Sequence, residues 1–207
     1  MKRLLEGIGK NSEKEYDRIF YERSLKDIDS FDLLRWKRLI KYYEKGRVID
    51  LGCLDSRALP LLKERYPGLE GWGIDTASEA MRVMQKRYPG IIYNVGDVYD
   101  TKFPSGYFSY AIAGELIEHL DNLQKFFEET FRILRRGGIL ALSTPLEEET
   151  EPGAKDKDRH IWSFKEEDIR KLVEPYCSKI KVKIMGSQYF PKYKYNFPNI
   201  LAYCYKR

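Results

Sequence analysis

The sequence predicts an α/β fold: a doubly wound sheet of seven strands, mostly parallel, with a C-terminal antiparallel hairpin and helices in front. Three observations predict it. Short apolar runs alternate with helical patterns from about residue 47 onward, a glycine or an acid closes several of those runs, and the C-terminal segment holds two β-rich runs without a helix between them. Such alternation specifies parallel strands joined by crossover helices.

Glu13 to Arg23 and Ser30 to Glu44 carry aromatic and aliphatic residues at helical spacing: Tyr16, Ile19 and Phe20, then Phe31, Leu34, Leu39 and Tyr43. They form an N-terminal helical layer over residues 1–45. Arg47 to Leu51 is the first strand, and Ala58 to Arg65 a helix stopped by Tyr-Pro-Gly. Trp72 to Asp75 and Ser78 to Arg87 repeat the pair, with a second Tyr-Pro-Gly stop, and Ile91 to Val95 is the third strand. Tyr107 to Ala113 is the fourth, Asn122 to Leu134 a helix closed by Arg-Arg-Gly-Gly, and Ile139 to Ser143 the fifth. Helix Lys165 to Val173 precedes Lys179 to Met185 and Ile200 to Tyr205, which pair as the hairpin.

A chain of 207 residues is expected to form one domain, 1–207. With 43% apolar and 33% charged residues it is globular in composition, far from a disordered chain. Apolar runs fall short of the roughly 18–20 residues that span a bilayer, and charge interrupts the start, so a soluble, unprocessed protein is expected. Cys53, Cys177 and Cys204 are odd in number and lack C-x-x-C spacing. Neither a disulfide framework nor a cysteine zinc site follows, and a cytoplasmic location fits. Thirty-seven basic minus thirty-two acidic side chains leave +5; the segment from Cys177 onward holds seven of the bases and no acid. Its YFPKYKYNFP run, with Lys192 and Lys194, suits either nucleic acid or the solvated face of a hairpin. The second reading is preferred. Neither nucleic acid nor membrane is an expected partner, and oligomeric state is not legible.

In a doubly wound sheet ligands bind beyond the carboxyl ends of the strands, so the loops there carry the chemistry. Asp50-Leu51-Gly52-Cys53 follows the first strand and Asp75 closes the second, about twenty residues beyond that glycine, where a carboxylate can reach ribose hydroxyls. Gly96-Asp97 follows the third strand and Gly114-Glu115 the fourth.

In this order the motifs RVIDLGC, GWGID, NVGDVYD and YFSYAIAGELIEHLDNLQKFFEETFRILRRGGILALSTP resemble the Rossmann-like class I S-adenosylmethionine-dependent methyltransferases. The resemblance covers the chain after about residue 45. It implies that Asp50 and the Gly52 loop hold the methionine part of S-adenosyl-L-methionine, Asp75 the ribose, and Asp97 the adenine amino group. The implied cofactor-binding set is Asp50, Gly52, Cys53, Ser56, Asp75, Thr76, Asp97, Val98, Gly114 and Glu115. One departure stands out: the family's D-x-G-x-G-x-G loop has Leu54 and Ser56 in place of its later glycines. Ser56 can bond the cofactor carboxylate or cap the next helix, and Asp55 can attract the ammonium. A relative that keeps the fold and has lost catalysis stays open. A nicotinamide dehydrogenase fits less well, since Leu54 takes the second glycine's place and Asp55 would repel a pyrophosphate.

If a helix starts at Glu115, then Glu115, Glu118 and His119 share one face. The other histidine is His160, in the long stretch Pro145 to Trp162, a length typical of lids. E-x-x-E-H with a later histidine resembles two metal-using branches of the family, in quinone biosynthesis and small-RNA 2′-O-methylation. The cation would then sit on Glu115, Glu118, His119 and His160. Many metal-free members also carry E-H-L. His119 as base, supported by Glu118, is preferred, because a cation requires the distant His160 to come in from its loop. Tyr16, Tyr21 and Trp162 either roof the pocket or belong to the core, the commoner fate of helix-spaced aromatics. The expected activity is methylation of a small hydroxylated or amino acceptor, with RNA 2′-O-methylation as an alternative.

Overall fold

The structure, a computed structural model, describes residues 1–3, 12–24, 30–146, 160–185 and 198–207. Its elements are β1 (Lys2–Arg3), α1 (Glu13–Ser24), α2 (Ser30–Leu39), β2 (Val48–Leu51), α3 (Ala58–Arg65), β3 (Gly71–Asp75), α4 (Ser78–Arg87) and β4 (Ile92–Val95). Then follow β5 (Phe108–Gly114), α5 (Leu123–Ile133), β6 (Leu134–Pro145), β7 (Trp162–Ser163), α6 (Glu166–Val173), β8 (Cys177–Met185) and β9 (Asn199–Lys206). Seven strands form one sheet in the order β4-β3-β2-β5-β6-β9-β8, while β1 and β7 pair separately. β4 through β6 are parallel, and β9 is antiparallel to both β6 and β8.

Central strands of a parallel sheet are covered on both faces, so they read as unbroken apolar runs. β2 is buried at every residue. On one face α5 and α6 bring Phe126, Phe127, Phe131, Ile169 and Val173 to the first apolar cluster. On the other, α2, α3 and α4 bring Trp36, Leu39, Leu59, Leu62, Met81 and Met84 to the second. From β2 the chain winds outward to β4 and then returns to β5 on the opposite side of β2. The loops after β2 and β5 therefore diverge, and a crevice opens between them.

Three boundaries differ from expectation. α2 ends at Leu39, ahead of the expected Glu44. β6 begins at Leu134, because Arg-Arg-Gly-Gly is taken into the strand as an irregularity: Phe108 pairs with Leu134, but Tyr110 pairs with Ile139. Gly137 adopts φ +70°, which a glycine accommodates without strain. Thirdly, β5 runs through Gly114 and is followed by a short 3-10 turn, Ile117–His119, so no helix starts at Glu115; α5 begins at Leu123, next to the expected Asn122. The hairpin forms as expected. On its edge strand Lys181 places its ammonium 4.3 Å from the centre of the Tyr42 ring. Lys192, Lys194 and most of the expected lid, 147–159, lie outside the described residues. Among the described residues no helix is long and apolar enough to cross a membrane.

Candidate active site

Beyond the carboxyl ends of β2, β3, β4 and β5 lies a cleft of about 550 Å³. Its walls contain Gly52, Cys53, Ser56, Asp75, Thr76, Asp97, Val98, Gly114 and Glu115 from the expected cofactor set, together with His119 and His160. α1 and α2 close it from above with Tyr16, Ile19, Asp32, Arg35 and Trp36. Asp50 and Glu118 are not on the surface of the cleft; they are 2% and 1% exposed and lie in the layer behind it.

The first loop bends at Gly52, where φ is +64° and a Cβ would come within 2.5 Å of Leu116 Cδ1. Only glycine fits there. Leu54 also has a positive φ, +36°, so the backbone keeps a left-handed bend although the expected glycine is missing. That bend is tied down: the Leu54 N–H donates to Asp75 Oδ2 at 2.9 Å, and the Cys53 N–H to the Ile74 carbonyl at 3.1 Å. Ser56 Oγ accepts from the Ala58 N–H at 3.2 Å, at the start of α3. Asp75 also holds the next turn, its Oδ1 accepting from the Ala77 N–H at 2.9 Å. Burial raises the Asp75 pKa, and these backbone donors oppose the rise. Asp50 is pushed up to about 7 by burial, against a hydrogen bond from Ser56 and with the charge of Asp75 adding to the rise. Its Oδ2 has no partner among the described residues. Asp97 closes a turn, accepting from the Tyr99 N–H at 2.8 Å, while still facing the cleft.

The loop after β5 departs most from the sequence reading. Glu115 has φ +52° and lies ahead of the 3-10 turn, so it does not share a helical face with Glu118 and His119. Its carboxylate turns instead toward the sheet. Asn199 Nδ2 donates to both of its oxygens at 3.0 Å, and Ser143 Oγ donates to Oε1 at 2.9 Å. Across the cleft Arg35 Nη1 stands 3.4 Å from Glu115 Oε2, and Arg35 Nη2 pairs with Asp32 at 2.7 Å.

Glu118 Oε2 accepts from Thr144 Oγ1 at 3.0 Å, while Oε1 is buried with no partner among the described residues. Burial, then the nearby charge of Glu115, push Glu118 up to about 8; His160 and the Thr144 hydroxyl pull the other way. His160 is not distant from this site. Its ring centre is 4.9 Å from that of His119, and the Ile161 N–H beside it donates to the Glu118 carbonyl at 2.6 Å. Ligand atoms of Glu118, His119 and His160 all fall within 4.8 Å of one another, a grouping that omits Glu115. Tyr16 meets His119 edge-on with ring centres 6.2 Å apart, as a roof would. Tyr21 is 66% exposed and does not line the cleft, and Trp162 packs on the core with its Nε1 on the Leu120 carbonyl at 2.7 Å.

Sequence reasoning missed Asp32, Arg35 and Trp36, and the roles of Ser143, Thr144 and Asn199 as partners of the two glutamates. The sequence around Arg35, a basic residue between Leu34 and Trp36 with an acid three positions earlier, reads as an ordinary helical ion pair and does not point to the cleft.

Residues 49–142 match the family model described as a methyltransferase domain. Over 102 residues, 49% of this chain, it is 29% identical to a trans-aconitate 2-methyltransferase of Azoarcus sp. (strain BH72), and over 103 residues, 48% of the chain, 33% identical to one of Rhizobium etli. These matches span 40% and 38% of the relatives' lengths. Among solved structures, Haemonchus contortus phosphoethanolamine N-methyltransferase 2 with bound S-adenosyl-L-methionine superposes with a TM-score of 0.69 at 15% identity, over 96% of this chain and 58% of that one. A Thermotoga maritima S-adenosylmethionine-dependent methyltransferase gives 0.68 at 18% identity, over 94% and 95%. Residues 49–142 thus resemble a methyltransferase domain, and the fold of the chain is the one seen in these S-adenosylmethionine-dependent methyltransferases of known structure.

Proposed function

We propose that this protein transfers a methyl group from S-adenosyl-L-methionine to a small hydroxylated or amino acceptor. The observation that carries this reading is the convergence on one cleft of the loops after β2, β3, β4 and β5, each with the acid or glycine expected of it. The residues fit the cofactor. The volume lies within the roughly 300–1,000 Å³ range of small-molecule sites, and the left-handed bend at Gly52 brings the backbone of the first loop to the cleft wall. Asp75 would hold the ribose and Asp97 the adenine amino group, as the resemblance implies.

The bound cofactor supplies an already activated methyl group, so the protein has to align an acceptor and exclude water. Tyr16, Ile19 and Trp36 supply the cover. An oxygen or nitrogen acceptor must also lose a proton, and His119, at the wall beside Gly114 and Glu115, is placed to take it. Three free cysteines, each buried, suit a reducing cytoplasm.

A second reading is favoured by one observation: Glu118, His119 and His160 converge, and Glu118 Oε1 is buried without a partner among the described residues. A carboxylate with two imidazoles suits a divalent cation such as Zn²⁺, Fe²⁺ or Mn²⁺, which would lower the pKa of an acceptor hydroxyl. Transfer of a labelled methyl group to panels of alcohols, phenols, amines and carboxylates, with and without chelator, tests both. The base reading expects activity unaffected by chelator and lowered about 10²–10⁴-fold in His119→Ala. Activity lost to chelator and restored by added metal would transfer the role to the cation. Cofactor binding without transfer to any acceptor would indicate a relative that has lost catalysis.

A further inference from the structure

We propose that Arg35 of α2 is the carboxylate-binding residue of the cleft and anchors the α-amino-acid end of the cofactor in place of the altered first loop. The proposal rests on the cofactor reading above. The first loop has little left to offer an anion. Its Leu54 N–H is committed to Asp75, its Cys53 N–H to Ile74 and its Ser56 N–H to the Cys53 carbonyl at 2.6 Å. The Ser56 hydroxyl serves Ala58 and Asp50, and Asp55 adds negative charge to the same wall.

The facing wall has what the loop lacks. Among the described lining residues Arg35 is the one lysine or arginine, and it is 8% exposed. A guanidinium carries five N–H donors. One bond, to Asp32, is tight; the approach to Glu115 at 3.4 Å is loose; and Nε is buried with no acceptor among the described residues. A buried cation that leaves donors unmet is costly, and a planar carboxylate meets two of them at once.

The neighbours narrow the ligand further. Asn199 and Ser143 fix the Glu115 carboxylate on one side of the guanidinium, and Asp32 occupies the other. One cation flanked by two acids complements a zwitterion, an α-carboxylate with its ammonium, better than it complements a polycarboxylate. That is the chemistry of the methionine end of the cofactor.

The test compares two ligands by calorimetry: S-adenosylhomocysteine, and 5′-deoxy-5′-methylthioadenosine, which keeps the nucleoside and the thioether but lacks the amino-acid end. Arg35→Met should weaken S-adenosylhomocysteine about 10–100-fold and leave methylthioadenosine within about twofold. Arg35→Lys should retain part of the difference, and it carries the same comparison if the methionine variant does not fold. Equal losses for both ligands would make Arg35 a structural residue and overturn the proposal. Unchanged S-adenosylhomocysteine affinity also overturns it, and with a raised KM for a carboxylated acceptor it would reassign Arg35 to that acceptor. Failure of the unaltered protein to bind either ligand would instead reject the cofactor reading itself.

Discussion

Gly52 and Asp75 are single residues on which the cleft's shape depends. Gly52→Ala forces a Cβ to within 2.5 Å of Leu116 Cδ1 in a left-handed backbone, so it should cost about 1–3 kcal/mol in urea unfolding and narrow the cleft. Unchanged stability would show that Leu116 yields freely. These positions were legible because strand ends carry chemistry in this fold, and an acid or glycine there is visible in the sequence. Arg35 and Asn199 were not. Asn199 meets Glu115 across 84 residues of chain, and Arg35 sits in a helix whose pattern speaks only of packing. Their roles arise from tertiary juxtaposition that local spacing does not encode.

α5 illustrates how one element steadies a loop by bonding to it directly. Glu129 accepts from both the N–H and the hydroxyl of Thr101, at 2.8 and 2.5 Å, and from Arg132, whose Nη2 also reaches the Phe103 carbonyl. This clasp ties the segment between β4 and β5 to the helix, downstream of the Asp97 turn. Those donors hold Glu129 down to about 2 against the opposing effect of its burial. A depressed carboxylate contributes stability that is complete above its unfolded value near 4.5 and is lost as pH falls through about 2. Glu129→Gln should therefore destabilise by about 1–3 kcal/mol at pH 7, and by less at pH 3. Urea midpoints of both proteins at the two pH values check this; a constant difference would contradict it. At this scale the helices and strands of the sheet were legible from apolar periodicity. The left-handed Glu115 and the 3-10 turn after it were not, because E-L-I-E-H has helical spacing and only the bond from Asn199 and Ser143 pulls its first glutamate away.

At the scale of the molecule, each face of one seven-stranded sheet carries its own apolar cluster, and both clusters are built on the same strands, so neither can form without the sheet. The chain should unfold in a single cooperative transition with equal calorimetric and van't Hoff enthalpies; two separate transitions would break the expectation of one domain. Strand order was legible only as a class, since alternation implies parallel crossovers while the placement of β9 between β6 and β8 comes from the antiparallel return. The central claim is that the crevice created by this winding binds the methyl donor, with Asp75 on the ribose. Asp75→Ala removes bonds to a charged acceptor worth about 1.5–3 kcal/mol each and frees the Leu54 and Ala77 N–H groups as well. The most direct measurement is calorimetric titration of S-adenosylhomocysteine into the protein and into Asp75→Ala. Saturable one-to-one binding, weakened at least tenfold in a folded Asp75→Ala, is the predicted result; equal affinity for both proteins, or no binding by either, would contradict it.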